Sequence, residues 1–148
     1  MAKLMFDSIL VVCTGNICRS PIGERFLRKE LPDKRIDSAG TGALVGQEAD
    51  ESAIKVSEQH GISLEAHKAR QFTSSLGRQY DLILVMEKSH IEQIGFLAPE
   101  VRGKTMLFGH WLELRDIPDP YRKSDEAFLS VYKLIEQAGR LWVQKLGA

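Results

Sequence analysis

The apolar positions of the chain fall into two kinds of pattern. Ser8-Ile9-Leu10-Val11-Val12 and Leu82-Ile83-Leu84-Val85-Met86 are short apolar runs with no polar alternation. Runs of that length suit strands covered on both faces, as in a parallel sheet. Lys34–Ser38, closed by Gly40 and Gly42, and Lys104–Phe108 are weaker strand candidates. Between them the apolar residues recur at helical spacing. Ser20-Pro21 reads as an N-cap followed by a first helical position, with Ile22, Phe26 and Leu27 behind it. Asp50 reads as the cap of a helix through Ala53, Ile54 and Ser57 that stops at Gly61. A helix is expected from about Ser89 to Leu97, ended before Pro99. From Ser124 a long helix places Phe128, Val131, Tyr132, Ile135 and Trp142 on one face. Ile117-Pro118-Asp119-Pro120-Tyr121 can be neither helix nor central strand and reads as a stiff loop. The alternation predicts an α/β fold in three layers, a roughly four-stranded parallel sheet with helices on both faces. Ligands of such sheets sit at the carboxyl ends of the strands.

Length and charge narrow the picture. The 148 residues suit one domain spanning 1–148. Lys and Arg number 20, and so do Asp and Glu, so no basic excess favours nucleic acid. No stretch approaches the ~18 uninterrupted apolar residues of a membrane span. Met1–Asp7 and the short run Ile9–Val12 do not make the apolar stretch of about 7–15 residues that a signal peptide needs. A cytoplasmic protein without membrane insertion is expected. The two cysteines, Cys13 and Cys18, lie in one loop-like stretch, which in a reducing compartment points to chemistry rather than a staple. Two cysteines do not supply the usual zinc-ribbon set, and neither metal nor cofactor is expected.

Cys13-Thr14-Gly15-Asn16-Ile17-Cys18-Arg19-Ser20 joins the first strand to the first helix and carries the chemistry. A loop this short cannot hydrogen-bond its own amides, so several can converge on an anion. The following helix adds the positive end of its dipole. Arg19 offers a planar fork for two phosphoryl oxygens. A cysteine in such surroundings is expected to be a thiolate and a nucleophile for phosphoryl transfer. Gly15 allows a turn that a side chain would block. The Ser20 hydroxyl could both cap the helix and donate to the sulfur. The competing reading makes Cys13 a small buried hydrophobe at a strand end.

A leaving ester oxygen needs an acid. Asp119 stands out because prolines on both sides fix its backbone on a separate loop. On spacing alone it reads equally well as a turn-forming residue. Asp116, Asp81 and Glu87 are weaker rivals.

Val11 to Pro21, together with Asp119-Pro120-Tyr121, resembles the low-molecular-weight protein tyrosine phosphatases. Asp37-Ser38-Ala39-Gly40, Ala66 to Gln71 and Tyr80 to Met86 agree, and the resemblance runs from about Ser8 to Leu146. The stretch Ala98 to Gly109 is similar to the bacterial branch encoded with capsule and exopolysaccharide machinery, whose members act on membrane tyrosine autokinases. The resemblance implies that Cys13 forms a cysteinyl-phosphate, that Arg19 binds the phosphate, and that Asp119 acts first as acid and then as base. It implies that Asn16, Ser20, Ser38 and His67 support the phosphate-binding loop. His60, His90 and His110 receive no such role and read as structural. Compared with animal members, Leu44 replaces an aromatic pocket wall and Arg122 replaces a second tyrosine, leaving Tyr121 as one aromatic wall. The implied rim of Leu44, Tyr121 and Arg122 is open, with a cation on it. Cys18 is either a packed thiol or a resolving partner for oxidised Cys13. Two other functions stay in view: thiol-dependent arsenate reduction on the same fold, which needs cysteines beyond Cys18, and a non-catalytic phosphoprotein-binding module.

Overall fold

β1 (Ser8–Cys13) is an interior strand, and its position decides where the loop after it ends up. In the computed structural model, which describes residues 6–147, the chain continues through α1 (Arg19–Glu30), β2 (Arg35–Gly40), α2 (Glu51–Glu58) and the short α3 (Ser74–Gly77). It then runs through β3 (Leu82–Val85), α4 (Lys88–Leu97), a 3₁₀ turn (Pro99–Lys104), β4 (Thr105–Leu107) and α5 (Asp125–Leu146). Residues 1–5, most of the stretch weighed above as a signal peptide, and residue 148 lie outside the described residues. The four strands form one sheet in the order β2-β1-β3-β4, and every pairing is parallel. Val12 lies between Ala39 of β2 and Val85 of β3, so Cys13 emerges at the carboxyl end of the sheet's middle.

The unbroken apolar runs are explained by two-sided burial. Ile9 and Val11 of β1, with Leu82 and Leu84 of β3, face a core shared with α1, α2 and α5. Leu10, Val12, Ile83 and Val85 face the opposite core with Ile94 of α4, Phe72 and Tyr80. Adjacent strand residues point to opposite faces, so a strand coated on both sides can have no polar position. On the first face α5 packs Trp142 against the sheet and anchors its indole N–H on the Phe108 carbonyl at 2.8 Å. The expected architecture and its long final helix, capped by Ser124 on the Ala127 amide, are both present.

Three expectations need correction. Ser20 is not the N-cap of α1; the helix starts at Arg19, Cys18 holds the cap position, and no side chain caps it. The serine hydroxyl is instead bonded inside the loop, as described below. Pro21 therefore sits in the third rather than the first helical position, where its missing N–H still removes no helical hydrogen bond. α3 and the 3₁₀ turn at Pro99 are additional to the expected elements, since Ser-Ser-Leu-Gly is too short to show helical periodicity. β2 also runs on to Gly40, beyond the predicted end at Ser38.

Gly40 pairs with Cys13 across the sheet, and a Cβ built on it would lie 2.3 Å from the Thr14 carbonyl oxygen. Backbone meets backbone there, so no rotamer change relieves the contact. Gly40→Ala is expected to lower stability by about 1–3 kcal/mol, as for other overpacked sites. It should weaken inorganic phosphate binding as well, because the displaced atom belongs to the loop. Urea unfolding and phosphate titration of the variant check both effects.

Candidate active site

The loop from Cys13 to Ser20 has its carbonyls held from outside. Cys13 O accepts from the Thr41 amide at 2.9 Å, Thr14 O from Gly42 at 3.0 Å and Gly15 O from Leu44 at 3.1 Å. Asn16 O accepts from His67 Nε2 at 2.6 Å, and Ile17 O accepts from the Asp50 amide at 2.9 Å. Among the described residues no amide of residues 14–20 donates to a protein acceptor. With the oxygens turned outward, those amides are left for an anion, as are those of the uncapped first turn of α1, which holds no acidic residue.

Asn16 holds this shape. It is fully buried and has φ of 60°, the left-handed region that asparagine tolerates better than most residues. Its Nδ2 donates to Ser20 Oγ at 2.8 Å and to Ser38 Oγ at 3.0 Å, and its Oδ1 accepts from the Arg70 amide at 2.9 Å. Ser20 Oγ lies 2.9 Å from Cys13 Sγ. With one serine lone pair taken by Asn16, the hydroxyl proton is available to the sulfur. The four residues expected to support the loop thus form one connected network. His67 donates through Nε2, and burial holds its pKa below the usual imidazole value.

Arg19 is 1% exposed. Its Nη1 donates to Glu87 Oε2 at 2.5 Å and to the Ile117 carbonyl at 2.7 Å. Its Nη2 lies 3.7 Å from Asp119 Oδ2. Both hydrogen bonds to the protein therefore leave from one nitrogen, and the rest of the fork remains for an anion. Asp119 has a half-exposed side chain and uses Oδ1 to accept from the Tyr121 amide at 3.0 Å. One oxygen serves the turn and the other faces Arg19, so the two readings of Asp119 describe its two oxygens. The rivals are occupied elsewhere. Asp116 accepts from the Lys88 amide at the start of α4, and Asp81 accepts from Asp7 and Ser8 at the opposite end of the sheet.

Cys13, Arg19, Leu44, Asp119 and Tyr121 line one pocket of about 170 Å³, in which Cys13 is buried. Arg122 does not line it; its guanidinium lies 5.3 Å from the centre of the Tyr121 ring. Cys18 lines the pocket too, but burial, then Asp50 and Cys13, push its thiol far up, so it is held protonated. No cluster of three or more His, Cys, Asp or Glu able to hold a metal ion occurs among the described residues.

The family model described as low molecular weight phosphotyrosine protein phosphatase matches residues 8–148. The chain belongs to that family. The low molecular weight phosphatase Etp of Escherichia coli K12 is 59% identical over 146 residues, covering 99% of each chain. The crystal structure of the tyrosine phosphatase Wzb from Escherichia coli K30 with sulphate superposes with a TM-score of 0.95. It is 68% identical, over 97% of this chain and 100% of that one. Vibrio vulnificus Wzb in complex with benzylphosphonate gives a TM-score of 0.94 at 55% identity, over 95% of this chain and 99% of that one. Two residues that touch the loop's machinery stand outside the site read from the sequence of this low molecular weight phosphatase. Glu87, weighed only as a rival acid, is the ion-pair partner of Arg19. His90, read as structural, bonds Thr14 Oγ1 through Nε2 at 2.9 Å. Only the capping spacing Glu87-x-x-His90 could have signalled either.

His90 is neutral in the folded chain, because burial, and then Arg19, push its pKa down from 6.5 to about 4. An unfolded chain takes up that proton below about pH 6.5 while the folded one does not. This contribution to stability is complete above pH 6.5 and is lost as pH falls towards 4. The thermal midpoint is expected to fall across that window, less steeply in His90→Gln, which cannot titrate. Thermal unfolding at fixed ionic strength measures the two slopes.

Proposed function

We propose that the protein hydrolyses phosphotyrosine in proteins through a cysteinyl-phosphate. The observation that carries this reading is the pocket itself: a buried sulfur under inward amides, a guanidinium and a carboxylate, all facing one cavity. The phosphoryl group rests on the loop amides and on Arg19, which stabilise its equatorial oxygens as charge spreads over them. Cys13 Sγ attacks phosphorus. The bond from phosphorus to the tyrosine oxygen breaks, and Asp119 gives that oxygen its proton. Asp119 then takes a proton from water as the water oxygen attacks phosphorus, and the electron pair of the S–P bond returns to sulfur. The Ser20 hydroxyl at 2.9 Å supports that departure. Asn16, Ser38 and His67 keep the loop in shape and touch no reacting atom.

Cys13 is 3% exposed, so its sulfur is reached only from within the pocket. Phosphotyrosine holds its phosphorus a ring's length from the backbone and reaches it, whereas phosphoserine is too short. Leu44 and Tyr121 supply apolar walls for the ring, and Arg122 places a cation beside them. Arsenate reduction is not supported, since the chain has no cysteine beyond Cys13 and Cys18. A binding module would need neither sulfur nor acid.

The partner proposed is a membrane tyrosine autokinase of capsule or exopolysaccharide export, met in the cytoplasm; the resemblance of Ala98 to Gly109 supports it. No helix among the described residues is long and apolar enough to cross a membrane. Cys18 is proposed to condense with a sulfenic acid on Cys13, forming a disulfide and water, although its protonated thiol makes it a slow partner.

Purified protein is expected to hydrolyse aryl phosphates without added metal and to be inhibited by vanadate. Cys13→Ser should abolish turnover and keep phosphate affinity; activity within tenfold of wild type would refute the nucleophile. Asp119→Ala should slow the phosphorylation step about 10²–10⁴-fold on phenyl phosphate and far less on an activated nitrophenyl ester. Single-turnover kinetics reads this directly, and the reverse pattern in Asp116→Ala would move the acid. Loss of phosphotyrosine from a co-expressed autokinase tests the partner.

A further inference from the structure

The turn that opens α4 touches the phosphate-binding loop at both ends. Glu87, at the cap of α4, accepts from the His90 amide through its main-chain carbonyl at 2.9 Å and from Arg19 Nη1 through its carboxylate. The Glu87 amide donates to His90 Nδ1 at 3.1 Å. An amide can only donate, so Nδ1 is the bare nitrogen and the ring proton sits on Nε2. Nε2 therefore donates to Thr14 Oγ1 at 2.9 Å, across 76 residues of sequence. Thr14 lines the pocket beside Cys13, and its carbonyl is already held by the Gly42 amide.

We propose that His90 is a positioning residue of the phosphate-binding loop, fixing Thr14 at the start of the loop while its capping partner Glu87 fixes Arg19 at the end. The inference rests on the pocket proposed above being the phosphate site. One rigid turn sets the span between the loop's first free amide and the guanidinium, the two sides between which the anion must fit. A mere helix cap would need only Nδ1. The bond from Nε2 reaches out of α4 to another element and adds nothing to the helix.

The two ring nitrogens can be separated by substitution. Asparagine places an oxygen near the position of Nδ1 and can keep the cap, but it is too short to reach Thr14. Glutamine places a donor near the position of Nε2. His90→Asn is expected to keep a thermal midpoint near that of wild type at pH 7, to bind inorganic phosphate about tenfold more weakly, and to lower kcat/KM similarly. That factor is roughly the worth of one hydrogen bond. His90→Gln should stay within about threefold of wild type in both. Thr14→Val should match His90→Asn, and adding His90→Asn to it should cost nothing more, as expected for two residues that act through one bond. Calorimetric titration with inorganic phosphate reads all four variants without turnover. Inactive wild type that still bound phosphate would sink the phosphatase reading and leave this test intact. Wild-type phosphate affinity in His90→Asn, or independent losses in the double variant, would overturn the positioning role. If His90→Asn lost stability instead, Thr14→Val would decide, and its unchanged affinity would equally overturn that role.

Discussion

The site depends on one constraint: successive carbonyls from Cys13 to Ile17 are each held by a donor outside the loop. A peptide unit carries its oxygen and hydrogen on opposite sides, so fixing the oxygens outward fixes the hydrogens inward. Asn16 makes the required turn possible by accepting a left-handed backbone, and its side chain is bonded at both ends in return. The donors come from the loop that follows β2, from the segment around His67 and from the cap of α2. The fold thus acts as a frame gripping the loop's back. Its front is free of protein acceptors, which is why a concentrated positive field persists there.

That field is balanced before any substrate arrives. Arg19 is buried with Glu87 on one nitrogen and Asp119 within 3.7 Å of another. A buried guanidinium without counter-charges would be costly. The two carboxylates differ in setting. Glu87 is locked into the start of α4, while Asp119 sits half exposed on a loop held by the Ile117 amide on Met86 O and the Arg19 bond to Ile117 O. One acid is a permanent partner, and the other is free to exchange its contact with Arg19 for one with substrate.

Much of this is legible in the sequence, for identifiable reasons. β1, β3 and α5 stand out because two-sided burial and a long amphipathic face leave unambiguous patterns. The span from Cys13 to Arg19 is legible because strand, loop and helix adjoin in sequence. Asp119 is legible through its flanking prolines, which act locally. The Ser20 cap is a misreading because a serine before a proline fits a capping rule, and the rule cannot register that Asn16 and Cys13 claim the hydroxyl first. The roles of Glu87 and His90 are hidden, since the bonds that give them meaning close over 68 and 76 residues. Nothing in the local spelling of Met-Glu-Lys-Ser-His records what α4 faces.

Gly40 shows how little slack the cradle has: the loop's backbone presses on the backbone of β2 with no room for a methyl group. The rim is different, for Leu44 and Tyr121 project from connecting segments, and Arg122 beside them stands exposed outside the pocket lining. The cradle therefore tolerates little displacement of its backbone, while side chains at the rim can change without moving it. Lineages that share the cradle can diverge in which phosphoproteins they recognise by changing rim residues alone, with the reaction inherited intact.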